Sequence, residues 1–274
     1  MTAWRSADNF KQNIIRMKDL NEQIIFQRNE EIGILPNRGY APLRVLIACE
    51  ESQAVCKAFR KLGHNAYSCD ILPCSGGYPQ WHFKMDVLKV IEGGTFPTQL
   101  GILFSQTIEK WDVIIGFPSC TFLTNAAAVR LRVNGKINQE RMKKAKEAKK
   151  FFLQLLNSNA EYIALENPTP SKIHELPNYN QAIQPWMFGH KYTKRTCLWL
   201  KNLPKLIPNI NEKPNGITPY VNGGCKDANG NYRKAQGRNE RCPIQRSKTF
   251  EGIAEAMAAQ WSDFILNDKR SNCA

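Results

Sequence analysis

The sequence predicts an α/β fold of three layers, in which helices flank both faces of a mostly parallel sheet. Short apolar runs recur along the chain, apolar residues at helical spacing separate them, and turn residues mark their ends. The 274 residues are 42% hydrophobic, which is enough for a buried core. These values exclude disordered and fibrous classes, and the length corresponds to between one and two domains.

The alternation begins with a strand at Val45–Ala48. A helix with four apolar residues on one face follows, namely Ala54, Ala58, Phe59 and Leu62. Gly63 closes this helix, since glycine adopts the left-handed conformation of a carboxyl-terminal cap without strain. A second strand runs from Asn65 to Ser68 and ends at Cys69-Asp70. Strand, helix and strand in this order build a parallel sheet.

Two further buried strands are predicted at Val113–Ile115 and Tyr162–Leu165. Between them, residues 139–156 form a helix that Asn138 caps, with Ala145, Ala148, Phe152 and Leu155 on one face. The stretch 93–110 predicts a small hairpin inserted before the Trp111 strand, because Gly and Pro alternate there with apolar and Thr residues. A last helix spans about residues 252–266.

The chain before the first strand predicts one helix within residues 1–40, capped by Asp8 or Asn9. Its apolar residues, Phe10, Ile14, Met17 and Ile24, are spaced for one helical face. Packing against the main fold is favoured over an oligomerisation arm. No signal peptide and no apolar run of about 18 residues is present, so we expect a soluble cytoplasmic protein.

Charge and cysteine content restrict the partners and the site. Lys and Arg number 38 against 24 Asp and Glu, a net charge of +14 that suits an anionic partner such as nucleic acid. The nine cysteines are an odd number without Cys-x-x-Cys pairs. Free thiols are therefore expected, and no metal site is predicted.

The residues that follow each strand are the candidate site, since ligands of open α/β sheets bind beyond the carboxyl ends of the strands. They comprise Cys49, Glu50, Glu51 and Ser52 after the first strand, Asp70 after the second, Asp86, Phe117 to Thr121 including Pro118, and Glu166-Asn167-Pro168.

Each candidate has a functional and an ordinary interpretation. Cys120, in the turn Gly116-Phe117-Pro118-Ser119-Cys120-Thr121, is a nucleophile or a buried inert thiol. Glu166 is a proton donor to a ring nitrogen, a helix cap or an ion-pair partner. Asp70 and Asp86 suit the hydroxyls of a ribose or the amine of an adenine, or they are plain strand-end carboxylates.

Taken in order, these motifs resemble those of the cytosine-5 DNA methyltransferases. The cysteine turn, Glu-Asn-Pro, basic Lys194-Arg195 on a strand, and the closing segment Thr249–Ala258 follow that family's sequence over about residues 44–266. The resemblance is closest to short proteins carried by phages and prophages. It implies a Rossmann-like, S-adenosylmethionine-dependent methyltransferase fold with a small basic recognition insert.

The resemblance also implies a role for each matching residue. Cys120 attacks carbon 6 of cytosine, Glu166 protonates ring nitrogen 3, and Asn167 orients the cysteine loop. Arg195 contacts the base carbonyl, with Lys194 as the alternative. The cofactor S-adenosyl-L-methionine is expected at Cys49, Glu50, Glu51, Ser52, Asp70, Asp86 and Pro118. Substrate contacts are expected from Lys194, Thr121, Arg233, Lys234 and Arg238, and the base would be flipped out of double-stranded DNA.

The implied organisation has four parts. Residues 1–42 form an appendage and linker, 43–206 the catalytic domain, 207–247 a reduced target-recognition region, and 248–274 the closing helix. Because that recognition region is small, RNA or a free pyrimidine nucleotide is an alternative substrate. Glu50-Glu51-Ser52-Gln53 replaces the family's glycine-rich first turn, so a catalytically silent relative that binds nucleic acid or cofactor is a further alternative.

Overall fold

Strands and helices alternate through most of the chain in this computed structural model, which describes residues 41–220, 225–226, 232–233 and 247–271. The helix predicted within residues 1–40 and much of the basic loop before residue 247 lie outside the described residues.

Fifteen strands are present in the described part. In chain order they are β1 (Arg44–Ala48), β2 (Asn65–Asp70), β3 (His82–Lys84), β4 (Gly94–Thr98), β5 (Gly101–Ile108), β6 (Val113–Gly116), β7 (Arg132–Val133), β8 (Lys136–Ile137), β9 (Tyr162–Pro168), β10 (Gln181–Ile183), β11 (Tyr192–Thr193), β12 (Thr196–Lys201), β13 (Thr218–Pro219), β14 (Cys225–Lys226) and β15 (Tyr232–Arg233).

Four α-helices accompany these strands within the same residues. They are α1 (Ala54–Lys61), α2 (Asn125–Ala128), α3 (Gln139–Leu156) and α4 (Glu251–Ser271). Short 3₁₀ turns lie at Pro79–Trp81, Val87–Lys89, Val129–Leu131, Lys172–His174 and Pro185–Phe188. Over the described residues, no helix is long and apolar enough to cross a membrane.

Seven strands form the central sheet in the order β10-β12-β9-β6-β1-β2-β3. The pairs β9–β6, β6–β1, β1–β2 and β2–β3 are parallel, whereas β12 is antiparallel to both β9 and β10. The prediction of a mostly parallel sheet in an α/β fold is therefore confirmed. Numbered within the sheet, the strands run 3-2-1-4-5-7-6, with only the seventh reversed.

Hydrophobic residues pack on both faces of the sheet because successive strand residues point to opposite sides. Val45 and Ile47 of β1 belong to one core cluster, together with residues of α1 and α4. Leu46 and Ala48 belong to the other, with residues of α3 and the β4–β5 hairpin. The three predicted layers are present.

Several predicted boundaries are confirmed. Helix α3 has the predicted limits, and Asn138 Oδ1 accepts the Arg141 N–H at 3.0 Å as its amino-terminal cap. Gly63 follows α1 with φ of 83°, as a carboxyl-terminal cap requires. The predicted hairpin is β4–β5. Helix α4 extends past residue 266, where Lys269 Nζ bonds Asp112 at 2.5 Å and anchors the last turn.

Two placements were wrong. Glu166 and Asn167 lie inside β9 rather than after it, since the antiparallel partner β12 continues the ladder opposite them. Lys194 and Arg195 lie between β11 and β12 rather than on a strand. Strand β2 ends at Asp70, as predicted, where β3 pairs alongside it.

Candidate functional site

The crevice between β1 and β6 is the point where the sheet order reverses. From β1 the chain crosses to β2 and β3 on one side and later to β6 and β9 on the other. Loops on the two sides of such a point diverge and leave room for a ligand. The turn after β1, residues 49–53, and the turn after β6, residues 117–121, therefore border one crevice.

The first turn is held by a buried carboxylate. Glu50 is only 4% exposed, and its two oxygens accept the backbone N–H groups of Val55 at 2.7 Å and Cys56 at 3.2 Å. Burial raises the pKa of Glu50 to about 7, although those hydrogen bonds favour ionisation. Its side chain caps the start of α1, and Cys49 adopts a left-handed conformation with φ of 59°.

Gln53 locks the same turn against residues 75–78, a role that the sequence analysis missed. Its Nε2 donates to Tyr78 O at 2.8 Å, and its Oε1 accepts the Tyr78 N–H at 3.0 Å. A side chain at Gly76 would meet Gln53 Cβ at 2.5 Å. The Ser75 hydroxyl donates to the Glu51 carboxylate, and the Ser52 carbonyl also crowds Gly76.

Asp70 and Asp86 lie at the ends of the next two strands. Asp70 Oδ1 accepts the Leu72 N–H at 2.9 Å, and burial raises the pKa of the half-buried Asp70 carboxyl. Asp86 is exposed and caps the 3₁₀ turn at residues 87–89 by accepting the Leu88 N–H at 3.0 Å. Asp70 thus has the partly shielded carboxylate, next to the first turn.

Cys120 carries an exposed thiol, which contradicts the interpretation of a buried inert cysteine. By contrast, Cys56, Cys69 and Cys197 are buried, and Cys49 and Cys74 are half-buried. The Thr124 hydroxyl donates to Cys120 O at 3.2 Å and also caps α2. Ser119 and Thr121 share a hydroxyl hydrogen bond of 2.9 Å beside the cysteine.

Asn167 connects the cysteine turn to strand β9. It is 1% exposed, and its Nδ2 donates to Pro118 O at 2.7 Å. Its Oδ1 is buried and accepts no hydrogen bond from any described residue. Asn167 therefore positions Pro118, two residues before Cys120.

Glu166, the neighbour of Asn167 in β9, lies near two polar side chains, those of Lys194 and Thr196. Burial raises the pKa of the Glu166 carboxyl, and the Lys194 charge and a Thr196 side-chain hydrogen bond partly oppose that rise. The carboxyl is consequently easier to protonate than an exposed one, as a proton donor requires.

Lys194 and Arg195 contact different groups. Lys194 Nζ lies 6.0 Å from the Phe250 ring centroid, and its charge acts on Glu166. Arg195 instead donates from Nη2 to Tyr179 Oη at 2.9 Å. Of the two cations named by the sequence analysis, Lys194 is the one beside Glu166.

Three of the predicted substrate contacts remain. Arg233 belongs to strand β15, while Lys234 and Arg238 lie outside the described residues. In the part of the chain described here, no group of three or more His, Cys, Asp or Glu side chains is arranged to hold a metal ion.

No protein-family model matches this chain, and no curated protein matches it either.

Proposed function

We propose that this protein is an S-adenosylmethionine-dependent DNA methyltransferase that adds a methyl group to carbon 5 of cytosine. One observation carries the proposal: the hydrogen bond from Asn167 to Pro118 joins the turn of the exposed Cys120 to the strand that bears Glu166. A nucleophile and a proton donor then flank one crevice at the carboxyl edge of the sheet.

The reaction follows from the chemistry of these groups. The Cys120 sulfur forms a bond to carbon 6 of the pyrimidine, and protonated Glu166 neutralises the charge that develops at ring nitrogen 3. Carbon 5 would then be nucleophilic and would take the methyl group from the sulfonium sulfur of the cofactor, whose sulfur–methyl bond would break to leave a neutral thioether. Loss of the carbon 5 proton to a base re-forms the ring double bond and expels Cys120 as a thiolate.

Lys194 is the cation that we assign to this step. It lies near Glu166 and limits the rise of the Glu166 pKa, so both groups serve the same side of the base. Arg195 is engaged with Tyr179. We therefore assign the contact with the base carbonyl to Lys194 and a structural role to Arg195.

The first turn fits S-adenosylmethionine better than a phosphate-bearing cofactor. Dinucleotides place their pyrophosphate on the helix N-terminus that follows the first strand. Here the Glu50 carboxylate occupies those backbone N–H groups of α1 and would repel a phosphate. S-adenosylmethionine has no phosphate, and half-buried Asp70 suits its ribose hydroxyls. When bound, the cofactor supplies an electrophilic methyl group on a sulfonium.

The strand order distinguishes this sheet from that of a dinucleotide-binding protein. Dinucleotide-binding sheets run 3-2-1-4-5-6, whereas this sheet has a reversed seventh strand between the fifth and the sixth. The reversed strand brings Thr196, its first residue, and Lys194 beside Glu166, which a sheet without that strand would not do.

Methyl transfer from tritiated S-adenosylmethionine tests the proposal. Purified protein and a Cys120→Ser variant are incubated with duplex DNA, RNA or free cytidine nucleotides, and each labelled nucleoside is identified by mass. We expect label in 5-methylcytosine of DNA that the variant fails to form. Label only in RNA or in free nucleotides would identify that molecule, rather than DNA, as the substrate. Label in none of them would favour a catalytically silent binding protein.

A further inference from the structure

A short segment beside the cysteine turn carries half of the net charge of the chain. Residues 130–150 contain nine Lys and Arg against two Glu, a net charge of +7 out of +14. The segment comprises the β7–β8 hairpin and the first twelve residues of α3. Such local concentration favours an anionic surface as the partner.

Three lysines form a stripe along α3, which we call the lysine stripe: Lys143, Lys146 and Lys150. Their spacing of three and four residues places them on one side of the helix, over about 10 Å of its axis. All three are exposed, and no described carboxylate pairs with them.

The neighbouring cations are already engaged. Lys144 pairs with Glu140 at 2.7 Å, and Lys149 with Glu175 at 3.8 Å. An ordinary solvated helix face has this mixed, paired character. Exposed Glu147 lies on the same side of α3 as the lysine stripe. The lysine stripe differs from a paired face because its three lysines outnumber that one carboxylate and none of them pairs with it.

The first turn of α3, which precedes the lysine stripe, lies next to the candidate site through Arg141, on the opposite side of the helix from the stripe. Arg141 Nη2 donates to Thr121 O at 3.1 Å, and its guanidinium lies 5.1 Å from the Phe122 ring centroid. The start of α3 is thus fixed to the residue after Cys120. From there the stripe runs away from the carboxyl edge of the sheet.

A cleft continues this positive surface. It has a volume of about 610 Å³, and Lys146, Lys149 and Lys150 line it together with polar Gln154, Asn157 and Ser158 and apolar Ile91 and Leu153. Glu92 also lines it, on the opposite wall from α3. Cations and amides of this kind contact phosphate oxygens.

We propose that the lysine stripe binds the sugar-phosphate backbone of duplex DNA and guides it to the cysteine turn. The choice of DNA as the polyanion rests on the proposed function. Along a duplex each strand presents a phosphate about every 3.4 Å, so a stripe of about 10 Å spans several phosphates. Affinity from this surface is independent of base sequence.

Salt-dependent binding tests the proposal. A 30-base-pair duplex is titrated with the Cys120→Ser protein and with the same protein carrying Lys143→Gln, Lys146→Gln and Lys150→Gln, without cofactor. Loss of three phosphate contacts makes the slope of log K against log salt shallower by about 2.7. The fall in affinity between 50 and 200 mM salt should therefore be roughly fortyfold smaller in the variant.

Two matched variants separate this effect from net charge and from misfolding. Lys61→Gln, Lys110→Gln and Lys205→Gln remove the same charge at the amino-terminal edge of the sheet, and should bind like the parent. Arginine at the three stripe positions should also restore binding. Equal slopes in both glutamine variants would overturn the proposal. Failure of methyl transfer alone would leave it standing, since binding is measured without the reaction.

Discussion

The side-chain amide of Asn167 donates a hydrogen bond of 2.7 Å to the carbonyl oxygen of Pro118. This bond joins the end of strand β9 to the turn that presents Cys120. It connects two segments 49 residues apart. Because both ends are tied to sheet strands, the position of the nucleophile is set by the core.

Replacing Asn167 with Ala should loosen the cysteine turn. The buried hydrogen bond contributes about 1 kcal/mol to the free energy of unfolding, so the protein should remain folded. We expect the rate of methyl transfer to fall at least tenfold with the affinity for DNA nearly unchanged. Transfer kinetics and chemical denaturation measure the two effects. A Ser119→Ala change in the same turn is the control, and an equal loss of rate in it would argue against a positioning role.

Replacing Glu166 with Gln should remove the proton donor. The rate should fall by roughly 10²–10⁴-fold, as for general acids. Burial raises the pKa of Glu166, and the protonated form is the active one, so wild-type transfer should decline as pH rises through that pKa. The variant should lack this decline. An unchanged alkaline limb in the variant would show that another group titrates.

Replacing Lys194 with Met should move the same alkaline limb. The Lys194 charge lowers the Glu166 pKa, so its loss should raise that pKa further and extend residual activity to higher pH. Arg195→Met is the matched variant, since Arg195 bonds Tyr179 instead. Profiles of kcat/KM against pH decide between them. A shift in the Arg195 variant alone would restore the role that the resemblance gave to arginine.

Much of the fold could be predicted because its signals are local. Apolar runs set the strands, Asn138 set the start of α3, and Gly63 the end of α1. The end of β9 could not be predicted, since it depends on pairing with β12. Thr196, the first residue of β12, lies opposite Pro168 of β9. Pairing between segments this far apart has no local pattern.

The candidate site was predicted in composition but not in side-chain direction. Which of Lys194 and Arg195 meets Glu166 depends on the residue where β12 begins, because neighbours in extended chain point to opposite sides. The capping role of Glu50 depends on the left-handed backbone of Gln53, with φ of 57°. A Gln directly before the predicted helix was the available sequence signal.

Glu50 should make stability depend on pH. Its pKa is about 7 in the folded protein, above the ordinary value of 4.5, so the folded state holds the proton more tightly. This contribution is present below about pH 4.5 and is lost as pH rises to about 7. The shift in the Glu50 pKa corresponds to about 3 kcal/mol in the free energy of unfolding. The difference in free energy of unfolding between wild type and Glu50→Gln, followed from pH 4.5 to 8, measures it. A difference that stays constant with pH would contradict the assignment.

Trapping of a covalent complex tests the central claim most directly. Duplex DNA with 5-fluorocytosine blocks the final proton loss, so the carbon 6 to sulfur bond cannot break. With S-adenosylmethionine present, we expect a stable complex whose proteolytic fragment carries methylated 5-fluorocytosine on Cys120. The complex should be absent in Cys120→Ser and reduced in Glu166→Gln. A complex attached through another residue, or methylation of cytosine without any Cys120 adduct, would contradict the mechanism.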